Sequence, residues 1–280
     1  MARERRAHRA EVVRTSRLTP NMLRVVLGGV DGGPLEGLQP GPFTDAHVKL
    51  ILPVPGSPVV EPFDVDEVRS TLDAAHWPVL RTYTIRSWDA ELGRMSLDVV
   101  VHGDEGIAGP WSVAARPGDQ VQLYGPGGGY APDPTADWHL LVGDESALPA
   151  IAVALEALPP EVPARAFVEV ANPAEEQPLL TVAEAQVRWI HREGSPSGPG
   201  VDLLEALREL EFLPGRVHAF VHGDAGFVKE LRSHLRFERG VAKEELSASG
   251  YWRRGVTDEG WRAAKREWVQ AVEAEETSHS

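Results

Sequence analysis

The chain of 280 residues contains no cysteine. That excludes disulfides, thiolate metal sites, iron–sulfur clusters held by its own cysteines, and any thiol nucleophile. Redox chemistry, if present, has to come from a bound cofactor. A basic surplus is also missing. Lysine and arginine number 28 against 42 aspartates and glutamates, a formal net charge of −14, whereas a nucleic-acid footprint needs clustered cations that release counterions. The cluster RERRAHR near the start reads as a solvated arm, and no nucleic-acid partner is expected. No run of about 18 apolar residues occurs, and the opening MARERRAHRA lacks the apolar core of a signal peptide. The expectation is a soluble, cytoplasmic protein without membrane insertion. Metal-ligand spacing is absent too: His218 and His222, four apart on a strand-like run, would sit about 13 Å from each other.

The composition is globular, 42% hydrophobic and 25% charged, and the length favours two domains over one. Residues 9–18, 22–30, 47–54, 79–88 and 94–103 are strand-like runs parted by Gly, Pro and Asp turns, the pattern of a small antiparallel barrel. The insert 62–78 reads as a loop with one helical turn. Further on, HLLVGD (139–144), RAFVEV (165–170), VRWIHR (187–192) and RVHAFVHGD (216–224) alternate with the helical patterns ALPAIAVALEAL, VDLLEALREL and AGFVKELRSHLR. Such alternation predicts βαβ units and an open, mostly parallel sheet. The Gly/Pro-rich segment 125–134 marks the boundary, which gives an antiparallel β-barrel over 1–130 and an α/β domain over 131–280. A tail helix opens at Thr257. Trp261, Ala264, Lys265 and Trp268 share one of its faces and are expected to dock on the body of the protein.

In RTYTIR (81–86), strand alternation puts Arg81, Tyr83 and Ile85 on one face and Thr82, Thr84 and Arg86 on the other. Neither face is cleanly apolar. The forked donors of Arg81 suit a pyrophosphate, the ring of Tyr83 an isoalloxazine, and Thr84 a flavin edge through backbone or hydroxyl. Arginines paired with surface carboxylates account for the hexapeptide equally well. In VVVHGDEGIAGPWSVAARPGD (99–119) a strand ends at His102 and a helix is expected near Gly109–Ser112. Free N–H groups there favour a phosphate, and Ser112 adds a hydroxyl. HLLVGDESALPAIAVALEAL reads as strand, turn and helix, with the turn at the carboxyl edge where parallel sheets bind ligands. It is not a G-x-G-x-x-G fingerprint.

In this order, RTYTIR, VHGDEGIAGPWSVAARPGD, GPGGGY, GDESALPAI and GYWRRG resemble the siderophore-interacting protein family, FAD-dependent ferric-siderophore reductases related to the ferredoxin reductase superfamily. The resemblance runs from about residue 9 to 270. It implies that the barrel binds FAD through Arg81, Tyr83 and Thr84, with Val99, His102, Gly109, Pro110, Trp111 and Ser112 completing the site. It implies an NAD(P)H site in the α/β domain at Gly143, Asp144, Glu145 and Ser146, with Asp144 or Glu145 meeting ribose, nicotinamide amide or solvent rather than pyrophosphate. The second domain shows no clear clamp for a 2′-phosphate, and Arg188 and Arg192 are the candidates near a strand end. A ferric siderophore would meet Lys49, Arg253 and Arg254. A third basic residue of the family pattern would stand in GPGGGY, where this chain has Gly127, and that departure points to a less charged, hydroxamate-type substrate.

The implied activity is NAD(P)H:ferric-siderophore oxidoreductase, with no acid–base residue required. A flavin-dependent electron donor to a separate protein, and a non-enzymatic flavin- or siderophore-binding module, are the other readings. The donor is NADH, NADPH or a reduced ferredoxin, and the sequence leaves the oligomeric state unset, a monomer included. On the face assignment, Arg81→Ala should lower FAD retention after dialysis far more than Arg86→Ala; equal retention in the two variants would contradict it.

Overall fold

The computed structural model describes residues 7–101, 103, 106–193, 195 and 198–278. The chain divides into two compact units, Met1–Ala131 and Pro132–Ser280. In the first, strands β1 (His8–Thr19), β2 (Met22–Gly28), β3 (His47–Leu52), β4 (Val79–Asp89), β5 (Arg94–Val100) and β6 (Gln120–Gly127) close into a barrel of order β1-β2-β5-β4-β3-β6. Every pairing is antiparallel. Alternation fills the interior: Val12, Val25, Leu27, Val48, Leu50, Leu97 and Leu123 form one buried cluster. Helix α2 (Ala108–Ala114) sets Ala108 and Trp111 against it.

In this unit two elements depart from the sequence expectation. The insert holds a helix, α1 (Val65–Thr71), rather than a single turn. The Asp64 carboxylate caps it by accepting from the N–H groups of Asp66 and Glu67. Strand β6 is not among the expected strands and runs into the segment 125–134 assigned to the boundary, yet it is the closing strand, paired with both β1 and β3. Its Val121 and Leu123 alternate inward, a short signal that the following glycines and proline mask.

Strand β4 does not alternate to its end. Ile85 pairs with Leu97 and Ser87 with Ser96, so Arg86 is one residue extra on β4. Such a bulge resets the parity of the strand. Ile85 and Trp88 therefore both pack on the barrel core, and Arg86 sits at the irregularity itself.

In the second unit, β7 (Trp138–Asp144), β8 (Ala164–Val170), β9 (Ala185–His191), β10 (Val217–Asp224) and β11 (Leu246–Trp252) form a sheet of order β11-β10-β7-β8-β9. All neighbours run parallel. Helices α3 (Leu148–Ala157), α4 (Val201–Arg208) and α5 (Ala225–Ser233) follow β7, β9 and β10. Every residue of β7 is buried, as expected of a central parallel strand covered on both faces. β11 was not legible, because LSASGYW offers small side chains in place of an apolar run. The reason lies at Gly250, where a Cβ would come within 2.8 Å of both Ala225 Cβ and Trp261 Cζ2. Small residues let α5 and the tail close onto this edge strand.

That tail is helix α6 (Asp258–Ser278). Trp261 is 1% exposed, meets Trp268 edge to face at 5.6 Å between ring centroids, and Trp268 packs on the core of the second unit. The tryptophan face therefore docks within its own unit. Removing a buried tryptophan leaves a cavity as well as losing transfer energy, so Trp261→Ala should lower stability by about 3–5 kcal/mol. Urea unfolding reads this as a lower midpoint, and an unchanged midpoint would mean that α6 does not support the sheet.

Candidate functional site

Register decides which side chains share a face in the first unit. Tyr83 lies opposite Val48, Arg81 opposite Leu50, Thr82 opposite Lys49, and Thr84 opposite His47. Directly opposed residues point the same way. Arg81 and Tyr83 thus share the face of Val48 and Leu50, with Tyr83 half-buried against the barrel core. Arg81 is half-buried, and its Nη1 donates to the Leu80 carbonyl at 3.1 Å. Thr84, 7% exposed, belongs to the other face, with His47 and Lys49.

Two expectations about the remainder of this site change. Val99 is fully buried in the barrel core, so its side chain is packing and any cofactor contact falls to its main chain. Helix α2 begins at Ala108, which places Gly109, Pro110, Trp111 and Ser112 inside it. Pro110 has no N–H, and the Trp111 N–H already donates to Ile107 O at 3.0 Å. Ala108 and Gly109 are left as the first-turn donors. Ser112 is 1% exposed and donates its hydroxyl proton to Gly109 O at 2.7 Å. The hydroxyl expected for a phosphate is thus committed to its own helix. His102 lies outside the described residues.

The groups gathered here are a guanidinium and a phenol ring two residues apart on one face of β4, and the first-turn N–H groups of Ala108 and Gly109 on α2. These groups would suit a flavin dinucleotide, Arg81 forking onto a pyrophosphate and Tyr83 offering a flat ring.

The GPGGGY segment is held against the start of β3. Asp45 Oδ1 accepts from the N–H groups of Gly129 at 2.8 Å and Tyr130 at 2.9 Å, and Thr44 N–H donates to Tyr130 O at 2.8 Å. A Cβ on Gly127 would lie 2.8 Å from His47 Nε2, and one on Gly128 would lie 2.7 Å from Phe43 Cβ. Lys49, two residues beyond His47, stands opposite Thr82 and Tyr124. Burial, and then the Asp45 charge, push the Tyr130 hydroxyl above its usual range.

At the carboxyl edge of the second unit's sheet, the chain's own carboxylates occupy the main-chain donors. Asp144, 2% exposed, accepts from Ser146 N–H and hydroxyl through Oδ1. Its Oδ2 accepts from Asp224 N–H at 2.9 Å and Trp252 Nε1 at 2.8 Å. Glu145 accepts from Ala171 N–H at 2.9 Å and pairs with Arg192. Glu169 accepts from Gly200 N–H, and Asp224 from the N–H groups of Gly226 and Arg254. Gly143 has no room for a side chain, since its Cβ would meet Ala147 Cβ at 2.6 Å and His222 O at 2.7 Å. Burial raises the Asp144 carboxyl above the usual carboxylate range, its hydrogen bonds acting the other way.

Asp144 or Glu145 is expected to meet ribose, nicotinamide amide or solvent, and in the structure both carboxylates are bonded inside the chain. This turn does not fit a pyrophosphate. Of the two arginines considered for a 2′-phosphate, Arg188 pairs with Glu209 and Arg192 with Glu145. Arg253 and Arg254 follow β11 and are exposed. Among the described residues no cluster of His, Asp and Glu could hold a metal ion. Sequence reasoning passed over His47, Asp45 and Phe43. The visible signal was His47 two residues before Lys49, on the same face of a strand.

His222, 3% exposed, lies 2.9 Å from Tyr251 Oη through Nδ1 and 2.9 Å from Ser247 Oγ through Nε2. Burial first, and Lys265 second, lower its pKa from 6.5 to about 3. Between those values the unfolded chain binds a proton that the folded chain refuses. This contribution to stability is therefore whole above about pH 6.5 and is lost as pH falls toward about 3. The stability difference between wild type and His222→Gln should shrink by about 1.4 kcal/mol per pH unit from about pH 6 to 4, read by urea unfolding. A pH-independent difference would mean that His222 is charged in the fold.

Residues 11–130 match the family model of the siderophore-interacting FAD-binding domain, and residues 136–255 that of the siderophore-interacting protein. An uncharacterized protein of Mycobacterium tuberculosis is 45% identical, over 94% of this chain and 96% of its own. The ferric vibriobactin reductase of Vibrio cholerae is 32% identical, over 90% and 91%. The crystal structure of a siderophore utilization protein from T. fusca superposes with a TM-score of 0.75 at 40% identity, covering 90% of this chain and 95% of that one.

Proposed function

The chain belongs to the siderophore-interacting protein family, and from that premise we propose that it is an FAD-dependent NAD(P)H:ferric-siderophore oxidoreductase. The observation that carries this reading is the pairing of Arg81 and Tyr83 on one half-buried face of β4, within the stretch matching an FAD-binding domain. The similarity to a ferric vibriobactin reductase supports the same chemistry. Bound FAD supplies the conversion of a two-electron donor into single-electron transfers. Arg81 would hold the pyrophosphate, Tyr83 would offer its ring to the isoalloxazine, and the Gly109 N–H at the start of α2 would add a donor. The ammonium of Lys49 on β3 would attract an anionic iron chelate to the barrel unit.

One reduced nicotinamide supplies the electrons for two Fe(III). Hard oxygen donors hold Fe(II) more weakly than Fe(III), so reduction releases the metal. No side chain need move a proton at the iron. Among the described residues no helix is long and apolar enough to cross a membrane, and the reductase is proposed to work in the cytoplasm on imported siderophore. The carboxylate-filled turn after β7 favours a second reading of the donor, a reduced protein carrier such as a ferredoxin.

Anaerobic mixing separates these readings. The flavin absorbance of FAD-loaded protein should bleach with NADH or NADPH and recover on adding ferric siderophore, as a ferrous chelator develops colour. Bleaching only by a reduced protein carrier would select the second donor. Flavin that bleaches but reduces no ferric siderophore would overturn the reductase reading.

A further inference from the structure

The residues between β3 and β4, 53–78, lie against the outside of the barrel. Gln122 stands opposite Arg9 of β1 and Ile51 of β3. Their neighbours on the three strands, Ala10, Leu50, Leu52, Val121 and Leu123, fill the barrel core, so Arg9, Ile51 and Gln122 point outward. Ile51 and Gln122 are nonetheless buried. The covering element is the insert, since the Gln122 amide donates through Nε2 to Phe63 O at 2.9 Å and accepts through Oε1 from Phe63 N–H at 3.0 Å. Val65 and Val68 of α1 are buried in the same segment. The insert is a strap, tied to the barrel by one amide and by apolar burial.

Glu61 lies in this strap two residues before Phe63. Both of its carboxyl oxygens are buried, and neither completes a hydrogen bond. The charge that acts on it from the barrel is that of Arg9, whose guanidinium donates to Gln120 Oε1 at 2.8 Å. β3 and β6 present Ile51 and Gln122, which carry none. On the strap itself, the Asp64 carboxylate is turned to the N–H groups of Asp66 and Glu67, and His76 O accepts from Ser57 Oγ. An ion without partners is heavily penalised in such a place, whereas the neutral acid is tolerated. Burial accordingly raises this carboxyl from 4.5 to about 7, against the weaker lowering effects of the Gln122 main chain and the Arg9 charge.

We propose that the insert is a pH-sensitive strap, seated on the outer face of β3 and β6 while Glu61 is protonated and loosened when Glu61 ionises. A free strap returns Glu61 to about 4.5, so the loosened form gives up its proton at the lower pH. Seating therefore weakens from about pH 4.5 up to about 7, by at most about tenfold per pH unit, and levels off above. The strap runs directly into β4, whose third residue is Arg81. On the flavin reading, its loosening also weakens the hold on FAD.

Hydrogen exchange of residues 60–72 tests this in wild type and Glu61→Gln, compared at each pH so that the intrinsic exchange rate cancels. The ratio of wild-type to variant exchange should rise at least about tenfold between about pH 5 and about pH 8, while strand β2 exchanges alike in both. Arg9→Gln removes the facing cation and should carry the loss on to higher pH than in wild type. Gln122→Ala, which cuts the tie to Phe63, should expose the segment throughout. A ratio that stays within about twofold across this range, or an Arg9→Gln profile that levels off where wild type does, would overturn the proposal. FAD retention on the same samples should follow the exchange profile. A chain that takes up no FAD at any pH would overturn the reductase reading, and the exchange ratio would still decide the strap.

Discussion

The Asp45 carboxylate is the contact on which the arrangement of the first unit turns. By accepting from two successive main-chain N–H groups, at Gly129 and Tyr130, it fixes the path of the chain leaving the barrel beside the start of β3. Charge-assisted bonds of this kind are among the stronger in proteins, and a buried carboxylate without them would be heavily penalised. With the segment fixed, Gly127 and Gly128 must stay bare, because the rings of His47 and Phe43 lie where their side chains would go. Local packing therefore dictates what polar chemistry this face of the barrel presents.

The second unit applies the same device repeatedly. Asp144, Glu145, Glu169 and Asp224 each satisfy main-chain donors at the carboxyl edge of the sheet. In many parallel α/β folds a bound phosphate takes such donors. Here the anions are covalently part of the chain, which accounts for a strand–turn–helix unit without the glycine fingerprint and contributes to the acidic balance. A nucleotide meeting this edge finds the Ser146, Ala171, Gly200 and Gly226 N–H groups already bonded.

How much of this was legible in the sequence followed from how local each signal was. The barrel strands β1 to β5 and the sheet strands β7 to β10 announce themselves by alternation or by continuous apolar runs. β6 and β11 do not: one is a few alternating residues ahead of a glycine-rich segment, the other is thinned to admit α5 and Trp261. At the site, the shared face of Arg81 and Tyr83 follows from the period of a strand. The bulge at Arg86 does not, because it exists only against its partner strand. Nor could the sequence reveal that Ser112 and Asp144 are already bonded, since proton and acceptor are brought together by turns and by residues as distant as Trp252.

The most direct test of the central claim, that the barrel unit holds FAD for electron transfer, is to measure flavin on the purified chain. Protein equilibrated with FAD and freed of excess is denatured, and the released cofactor is identified and counted. The account predicts about one FAD per chain, released as the dinucleotide, in line with the pyrophosphate role proposed for Arg81. A chain that stays colourless with FAD in excess, or that retains riboflavin as readily as FAD, would contradict it.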